Sequence, residues 1–139
     1  MGRILGLDVG DKTIGVAVSD ELGWTAQGVK TVQRQGRRQD LAALADVIEQ
    51  YAVTEILVGL PKHLNNSIGQ QAEKVQKFAR SLEGRFYPIP ITFWDERLST
   101  ASAERVLIDA DVRRNKRKSV IDTLAAVIIL QNYLDFKSL

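Results

Sequence analysis

The chain has no cysteine, one histidine and three prolines among its 139 residues. Without cysteine there is no disulfide, no thiolate zinc site and no cysteine nucleophile, and this composition fits a reducing compartment. No apolar stretch is long enough to cross a bilayer. The acidic residues Asp8 and Asp11 also interrupt any N-terminal signal-peptide pattern. We therefore expect a soluble, cytoplasmic protein that makes no membrane contact.

A strong net charge is also lacking, since the formal charge is only +2. An apolar content of 45% and a charged content of 26% are ordinary for a globular protein, and the length predicts a single domain over residues 1–139. The positive charge is nevertheless concentrated in two runs. They consist of Lys30, Arg34, Arg37 and Arg38, and of Arg113, Arg114, Lys116, Arg117 and Lys118. Each run is either a solvated loop or a surface that contacts the phosphates of a nucleic acid.

Acidic residues interrupt three apolar runs of the sequence. Asp8 lies in a run that otherwise reads as a buried strand, and Asp95 and Glu96 end another such run. Asp122 is the only charge between residues 120 and 130. Burying an ionised carboxylate costs several kcal/mol unless something compensates for the charge. Carboxylates far apart in sequence that meet at strand ends indicate a hard cation with oxygen ligands, Mg²⁺ or Mn²⁺.

The apolar periodicity predicts a mixed α/β order of elements. Three closely spaced strands, over residues 3–9, 13–19 and 26–32, indicate an antiparallel meander. After them we expect helices and strands in the order helix 40–51, strand 55–60, a helix opened by a capping box at Ser67, strand 89–94, helix 99–110 and helix 119–134. Because helices separate the later strands, those strands pair in parallel. The expected fold is a mixed five-stranded sheet, three antiparallel strands and then two parallel α/β units, flanked by helices.

This topology brings the acidic residues together. The strand of Asp8 is the most continuously apolar and should lie at the centre of the sheet. If the last strand runs parallel to it, the end of that strand, which carries Asp95 and Glu96, approaches Asp8. Ligand sites in such sheets tend to lie at the carboxyl ends of strands. Asp122 shares a helix face with Ala125, Ala126 and Ile129, and small residues there would let the helix pack closely on the sheet.

Several motifs resemble the YqgF family, also called RuvX. They are RILGLDVGDKTIGVA at residues 3–17, VGLP at 58–61, WDERLST at 94–100 and KSVIDTLAAVIIL at 118–130. The family has an RNase H-like fold. Its members are described as Holliday junction resolvases and as nucleases that mature the 5′ end of 16S ribosomal RNA. The resemblance implies that Asp8, Glu96 and Asp122 form an acidic active-site triad.

A triad of this kind implies hydrolysis of a phosphodiester with divalent metal ions. Two ions about 4 Å apart stabilise the attacking water and the leaving oxygen. Asp8 would bridge the ions, Glu96 would hold one and orient the water, and Asp122 would hold the other. Arg97 would pair with a phosphate or a site carboxylate, and Lys12 would contact the scissile strand.

Each of these residues also has a purely structural interpretation. Asp8 could be a satisfied carboxylate at a strand end, Glu96 could stand at a helix entry, and Asp122 could complete a helix cap with Ser119. Asp95 is the rival metal ligand on its strand. The single histidine, His63, fits a loop surface better than a catalytic base. Trp24 could stack on a base or pack against the protein, whereas Trp94 belongs in the core.

Three classes of function follow. The favoured class is a metal-dependent nuclease acting in pre-16S rRNA maturation during ribosome biogenesis, with Holliday junction resolution in DNA recombination and repair as its alternative. The second is an ATPase-like module, since the segment from Asp8 to Gly10 also resembles the first phosphate loop of actin-like ATPases, which however need two domains. The third is a non-catalytic nucleic-acid binder. A resolvase needs a two-fold dimer, but no exposed apolar stripe requires one, so a monomer and a homodimer both stay open.

Overall fold

The computed structural model describes residues 2–61, 69–96 and 114–138, and it describes residues 114–122 by their helical backbone only. The strands are β1 (Arg3–Val9), β2 (Thr13–Ser19), β3 (Ala26–Gln33), β4 (Val53–Leu60) and β5 (Ile91–Asp95). The helices are α1 (Arg37–Tyr51), α2 (Gln70–Phe86) and α3 (Arg114–Lys137). No helix in these ranges combines the length and apolar character needed to cross a membrane.

The five strands form one sheet in the order β3-β2-β1-β4-β5. Pairing is antiparallel between β1 and β2 and between β2 and β3. It is parallel between β1 and β4 and between β4 and β5. The predicted mixed sheet, with a meander followed by two parallel units, is therefore confirmed. The strand that carries Asp8 lies at its centre, as its continuous apolar run predicts.

The helices cover both faces of the sheet, so alternate residues of β1 enter two different cores. Leu5, Leu7 and Val9 belong to the core beneath α1 and α2. The other face packs against α3, and there the approach is close. A Cβ atom added at Gly6 would lie 2.9 Å from Cβ of Leu130. The absence of a side chain at Gly6 therefore lets α3 lie directly on the central strand.

The starts of helices α3 and α2 differ from the predicted ones. Helix α3 includes Arg114 to Lys118, predicted as a loop, because Arg and Lys are strong helix formers and continue the helix ahead of the apolar repeat. Asp122 consequently lies inside the helix rather than at its start, so the helix-cap interpretation is wrong. In α2 the N-cap is Gly69, not Ser67. The predicted helix over residues 99–110 lies outside the described residues.

Candidate active site

Asp8 lies near the carboxyl end of the central strand, directly before a tight turn. The amide of Gly10 donates a hydrogen bond of 2.8 Å to the carbonyl of Thr13, which closes this turn between β1 and β2. Because Leu7 and Val9 enter the core beneath α1 and α2, alternation directs Asp8 to the face covered by α3. Its side chain is partly buried.

Glu96 follows the last residue of β5 and reaches the same region. Gly59 on β4 pairs with Trp94 and stands between the strands of the two carboxylates. A Cβ atom at Gly59 would lie 3.4 Å from Cγ of Glu96. Because glycine has no side chain, the space next to the aliphatic part of Glu96 stays open. One cavity of about 250 Å³ joins the two acidic residues, and it is lined by Asp8, Val9, Gly10, Thr13, Pro61, Gln71 and Glu96.

Asp95, the rival ligand, does not line this cavity. In the sheet it pairs with Leu60, which belongs to the core beneath α1 and α2. Trp94 belongs to the opposite core, beneath α3. Successive residues of a strand point to opposite faces, so Asp95 is directed away from the face of Asp8.

Helix α3 brings residue 122 to the same end of the sheet. The carbonyl oxygen of Ala126 lies 3.5 Å from a Cβ position at Gly6. Leu134 lines a cavity with Ile4 at the start of β1, so the helix and the strand run in opposite directions. Asp122 precedes Ala126 by four helical residues, a rise of about 6 Å along the helix axis. Asp8 follows Gly6 by two strand residues, a rise of about 7 Å along the strand. The backbone of Asp122 therefore lies at the same height along β1 as Asp8. The structure describes only the backbone at this residue.

A partly buried ion pair, between Arg34 and Asp40, holds the turn that follows Asp8. The guanidinium of Arg34 donates hydrogen bonds to the carbonyl of Gly10 at 2.8 Å and to the carboxylate of Asp40 at 3.2 Å. Its main-chain amide donates to the carbonyl of Lys12 at 2.9 Å. The side chain of Asp40 is only 1% exposed, and that of Arg34 is 25% exposed. Sequence reasoning assigned Arg34 only to a basic surface run, because no local spacing links it to a turn 24 residues away.

The other predicted contact residues have mixed outcomes. Lys12 is exposed in the turn after Asp8. Arg97, Arg113 and His63 lie outside the described residues. The remaining basic residues, Arg114, Lys116, Arg117 and Lys118, lie on the first turns of α3, where only the backbone is described. Trp24, with 73% of its surface exposed, is not packed in the core.

The donor set at this cavity suits a hard cation. Asp8 and Glu96 supply carboxylate oxygens, which Mg²⁺ and Mn²⁺ prefer. Within residues 2–61, 69–96 and 123–138, no three acidic or histidine side chains form a metal-binding cluster. Any third ligand from the described elements would therefore come from a position such as Asp122, where the backbone alone is described.

A family model described as RuvX, Holliday junction resolvase, matches residues 2–136. The chain belongs to the RuvX family. A relative from Clostridioides difficile (strain 630), named “Putative pre-16S rRNA nuclease”, is 60% identical over 136 residues, which cover 98% of this chain and 96% of that protein. A relative of the same name from Listeria monocytogenes serotype 4b (strain F2365) is 55% identical, covering 96% of this chain and 97% of that protein. The family membership predicted from the motifs is confirmed.

Solved structures with low sequence identity share the RuvX chain's fold. Thermus thermophilus RuvC in complex with a Holliday junction substrate superposes with a TM-score of 0.62 at 13% identity, covering 99% of this chain and 98% of that one. The yeast mitochondrial Holliday junction resolvase superposes with a TM-score of 0.59 at 12% identity, covering 99% and 79% of the two chains. These similarities confirm the predicted RNase H-like fold.

Proposed function

We propose that this RuvX protein is a metal-dependent nuclease that hydrolyses phosphodiester bonds of structured nucleic acid. The observation that carries the proposal is the cavity at the carboxyl ends of β1 and β5, which both Asp8 and Glu96 line. These residues come from strands that are not neighbours, and a parallel sheet places ligand sites at this edge. The family and its relatives, which carry nuclease names, support the same enzyme class.

Asp8, Glu96 and Asp122 are the proposed catalytic residues and metal ligands. Asp8 would hold the most fixed position, since strands pair with β1 on both sides. Glu96 would bind the cation and orient the attacking water, and Asp122 would complete the ligand set from α3. Glu96 is preferred to Asp95 because only Glu96 lines the cavity. A bound divalent cation would stabilise the negative charge that develops on the phosphodiester oxygens.

The proposed physiological substrate is the precursor of 16S ribosomal RNA, processed in the cytoplasm. The names of the relatives at 55% and 60% identity support this choice. The family description favours a second candidate, the four-way DNA junction. Both substrates present phosphodiesters, which Lys12, Arg97 and the basic start of α3 would contact.

The decisive experiment compares the two substrates under identical conditions. Labelled RNA carrying the 5′ precursor segment of 16S rRNA and a labelled four-way junction are incubated with the protein in Mg²⁺, in Mn²⁺ and in EDTA. We expect metal-dependent cleavage of the RNA near the mature 5′ end, absent in Asp8→Asn. Paired symmetric cuts in the junction alone would favour the DNA substrate. Tight binding of both nucleic acids without any cleavage would contradict the proposal and identify a non-catalytic binder.

A further inference from the structure

Four of the six described residues that line a groove between α1 and α2 are basic. It has a volume of about 460 Å³, and its lining consists of Arg34, Arg37, Lys74, Lys77, Phe78 and Ser81. None of these described residues carries a carboxylate. The sequence indicated only half of this feature, because Lys74 and Lys77 lie on a different helix from Arg37 and far from it in sequence.

The side chains in and around this groove carry a net positive charge. Two nearby carboxylates offset two of its four cations: Asp40 pairs with Arg34, and Asp11 pairs with Lys74 at 3.4 Å. The Asp11–Lys74 pair is more than 60% exposed on both sides, so water and salt screen it. Among the described residues, Arg37 and Lys77 form no ion pair. Two positive charges therefore face the groove without a protein counterion in that part of the chain.

Phe78 and Arg34 give the groove a fixed floor. The Arg34 guanidinium stacks over the Phe78 ring at 4.9 Å from its centroid, while its hydrogen bonds to Gly10 and Asp40 hold it in place. Phe78 is 5% exposed and belongs to the core. The long side chains of Arg37 and Lys77 rise at the rim, and both residues are exposed. Arg binds phosphate oxygens through a planar fork of donors and Lys binds them as a point charge, so this lining suits phosphate groups.

The groove lies beside the cavity of the candidate active site. Gln71 on α2 lines that cavity with Gly10, and Lys74, one turn further along the helix, lines the groove. The carbonyl of Gly10 accepts the hydrogen bond from Arg34, so the two sites share the turn after Asp8. From Gln71 to Ser81 the helix advances about 15 Å. That length matches roughly four nucleotides of one strand in a B-form duplex.

We propose that the groove between α1 and α2 binds the sugar-phosphate backbone of the nucleic-acid substrate to one side of the scissile phosphate. Arg37, Lys74 and Lys77 contact successive phosphates, and Arg34 forms the base. This inference rests on the proposed nuclease function and adds the path by which the strand leaves the acidic cavity. The contacts are to phosphates, so they add affinity without sequence preference.

A matched pair of variants tests the groove. Arg37→Gln/Lys77→Gln removes two charges from the groove, and Arg80→Gln/Arg85→Gln removes two charges from elsewhere on α2, so both variants have the same net charge. Binding of the labelled precursor RNA and the four-way junction is measured by fluorescence anisotropy in EDTA across a salt series. Losing two phosphate contacts should flatten the slope of log K against log salt by about 1.4 to 1.8. If affinities converge at 1 M salt, this corresponds to about 25- to 60-fold weaker binding at 0.1 M salt.

The outcomes separate this inference from the proposed function. If the wild type binds nucleic acid and only Arg37→Gln/Lys77→Gln loses affinity, the result supports phosphate binding in the groove. Equal losses in both double variants, or no loss in either, would overturn the groove while leaving the nuclease proposal in place. A wild type that binds neither nucleic acid would overturn both.

The absence of cysteine allows a second, positional test. Ser81→Cys, at the far end of the groove, carries a photoactivatable azidophenacyl group, and Gln76→Cys carries the same group on the opposite side of α2. We expect the Ser81 probe to crosslink nucleotides within about four positions of the cleavage site. The Gln76 probe should give at most a small fraction of that yield. Equal yields from the two probes, or crosslinks scattered along the substrate, would contradict the proposed path.

Discussion

Gly59→Ala offers a sharp test of how the sheet positions Glu96. The added Cβ atom would lie 2.8 Å from Cδ1 of Ile129 and 3.4 and 3.5 Å from Cγ and Cδ of Glu96. The Ile129 contact is far too short, but that atom ends a flexible side chain and can rotate away. The Glu96 atoms would be in van der Waals contact with the new methyl group, which would fill the space beside the Glu96 stem and limit the positions that the carboxylate can take. The variant should therefore fold, and its defect should concentrate at the candidate active site.

The expected magnitudes follow from this geometry. Overpacking at one buried methyl position costs about 1–3 kcal/mol of unfolding free energy. For a chain of this size that corresponds to a melting temperature lower by roughly 3–15 °C. Restricting the carboxylate of Glu96, a proposed metal ligand, should lower kcat by about 10-fold, with little change in KM, because misplacement by 1 Å can cost about 100-fold. Thermal unfolding and single-turnover cleavage measure the two effects separately.

A compensating substitution separates stability from activity. Gly84 lies inside α2, and a Cβ atom there would meet nothing within 4 Å. Gly84→Ala should therefore stabilise the helix by about 0.8–1.0 kcal/mol. Combined with Gly59→Ala, it should recover part of the melting temperature and none of the lost rate. Cleavage by Gly59→Ala at the wild-type rate would refute the role given to the space beside Glu96.

Three further predictions concern other parts of the molecule. Asp40→Ala should lower the unfolding free energy by about 2–4 kcal/mol in denaturant titrations, since it leaves Arg34 without its buried partner; a loss under 0.5 kcal/mol would contradict this. Burial and the adjacent Glu55 carboxylate raise the pKa of Tyr133 to about 12. Because this folded-state pKa exceeds the ordinary value of about 10, stability should fall as pH rises from about 10 through 12, and Tyr133→Phe should lose this dependence. Added Mg²⁺ or Mn²⁺ should raise the melting temperature of the wild type, and this rise should be much smaller in Asp122→Asn. An equal rise in the two proteins would remove Asp122 from the site.

The sequence allowed most of the sheet to be predicted, because its signals are local. The apolar run around Asp8 predicted a central strand, and short spacings predicted the meander that pairs Leu5 with Val18. The start of α3 was missed, because a basic run has no apolar period even though its residues favour helix. Here intrinsic propensity, rather than amphipathic pattern, accounts for the boundary.

The candidate site was predictable in its residue types and less so in its geometry. Because Asp95 pairs with Leu60, strand alternation directs Asp95 away from the face of Asp8. The sequence alone did not decide whether Asp95 or Glu96 is the metal ligand. The support for the turn after Asp8 depends on a contact between Gly10 and Arg34, which only the three-dimensional fold brings together. The basic groove likewise depends on two helices whose charges have no common sequence period.

The proposed role of the carboxylates in this cavity is to catalyse metal-dependent cleavage of a phosphodiester. Its most direct test is the single-turnover cleavage rate of wild type and of Asp8→Asn on the precursor RNA and the four-way junction in saturating Mg²⁺, with thermal unfolding confirming that both proteins are folded. We predict cleavage by the wild type that EDTA abolishes, and a loss of at least 100-fold in the folded Asp8→Asn. Cleavage by folded Asp8→Asn at a rate near that of the wild type would contradict this role.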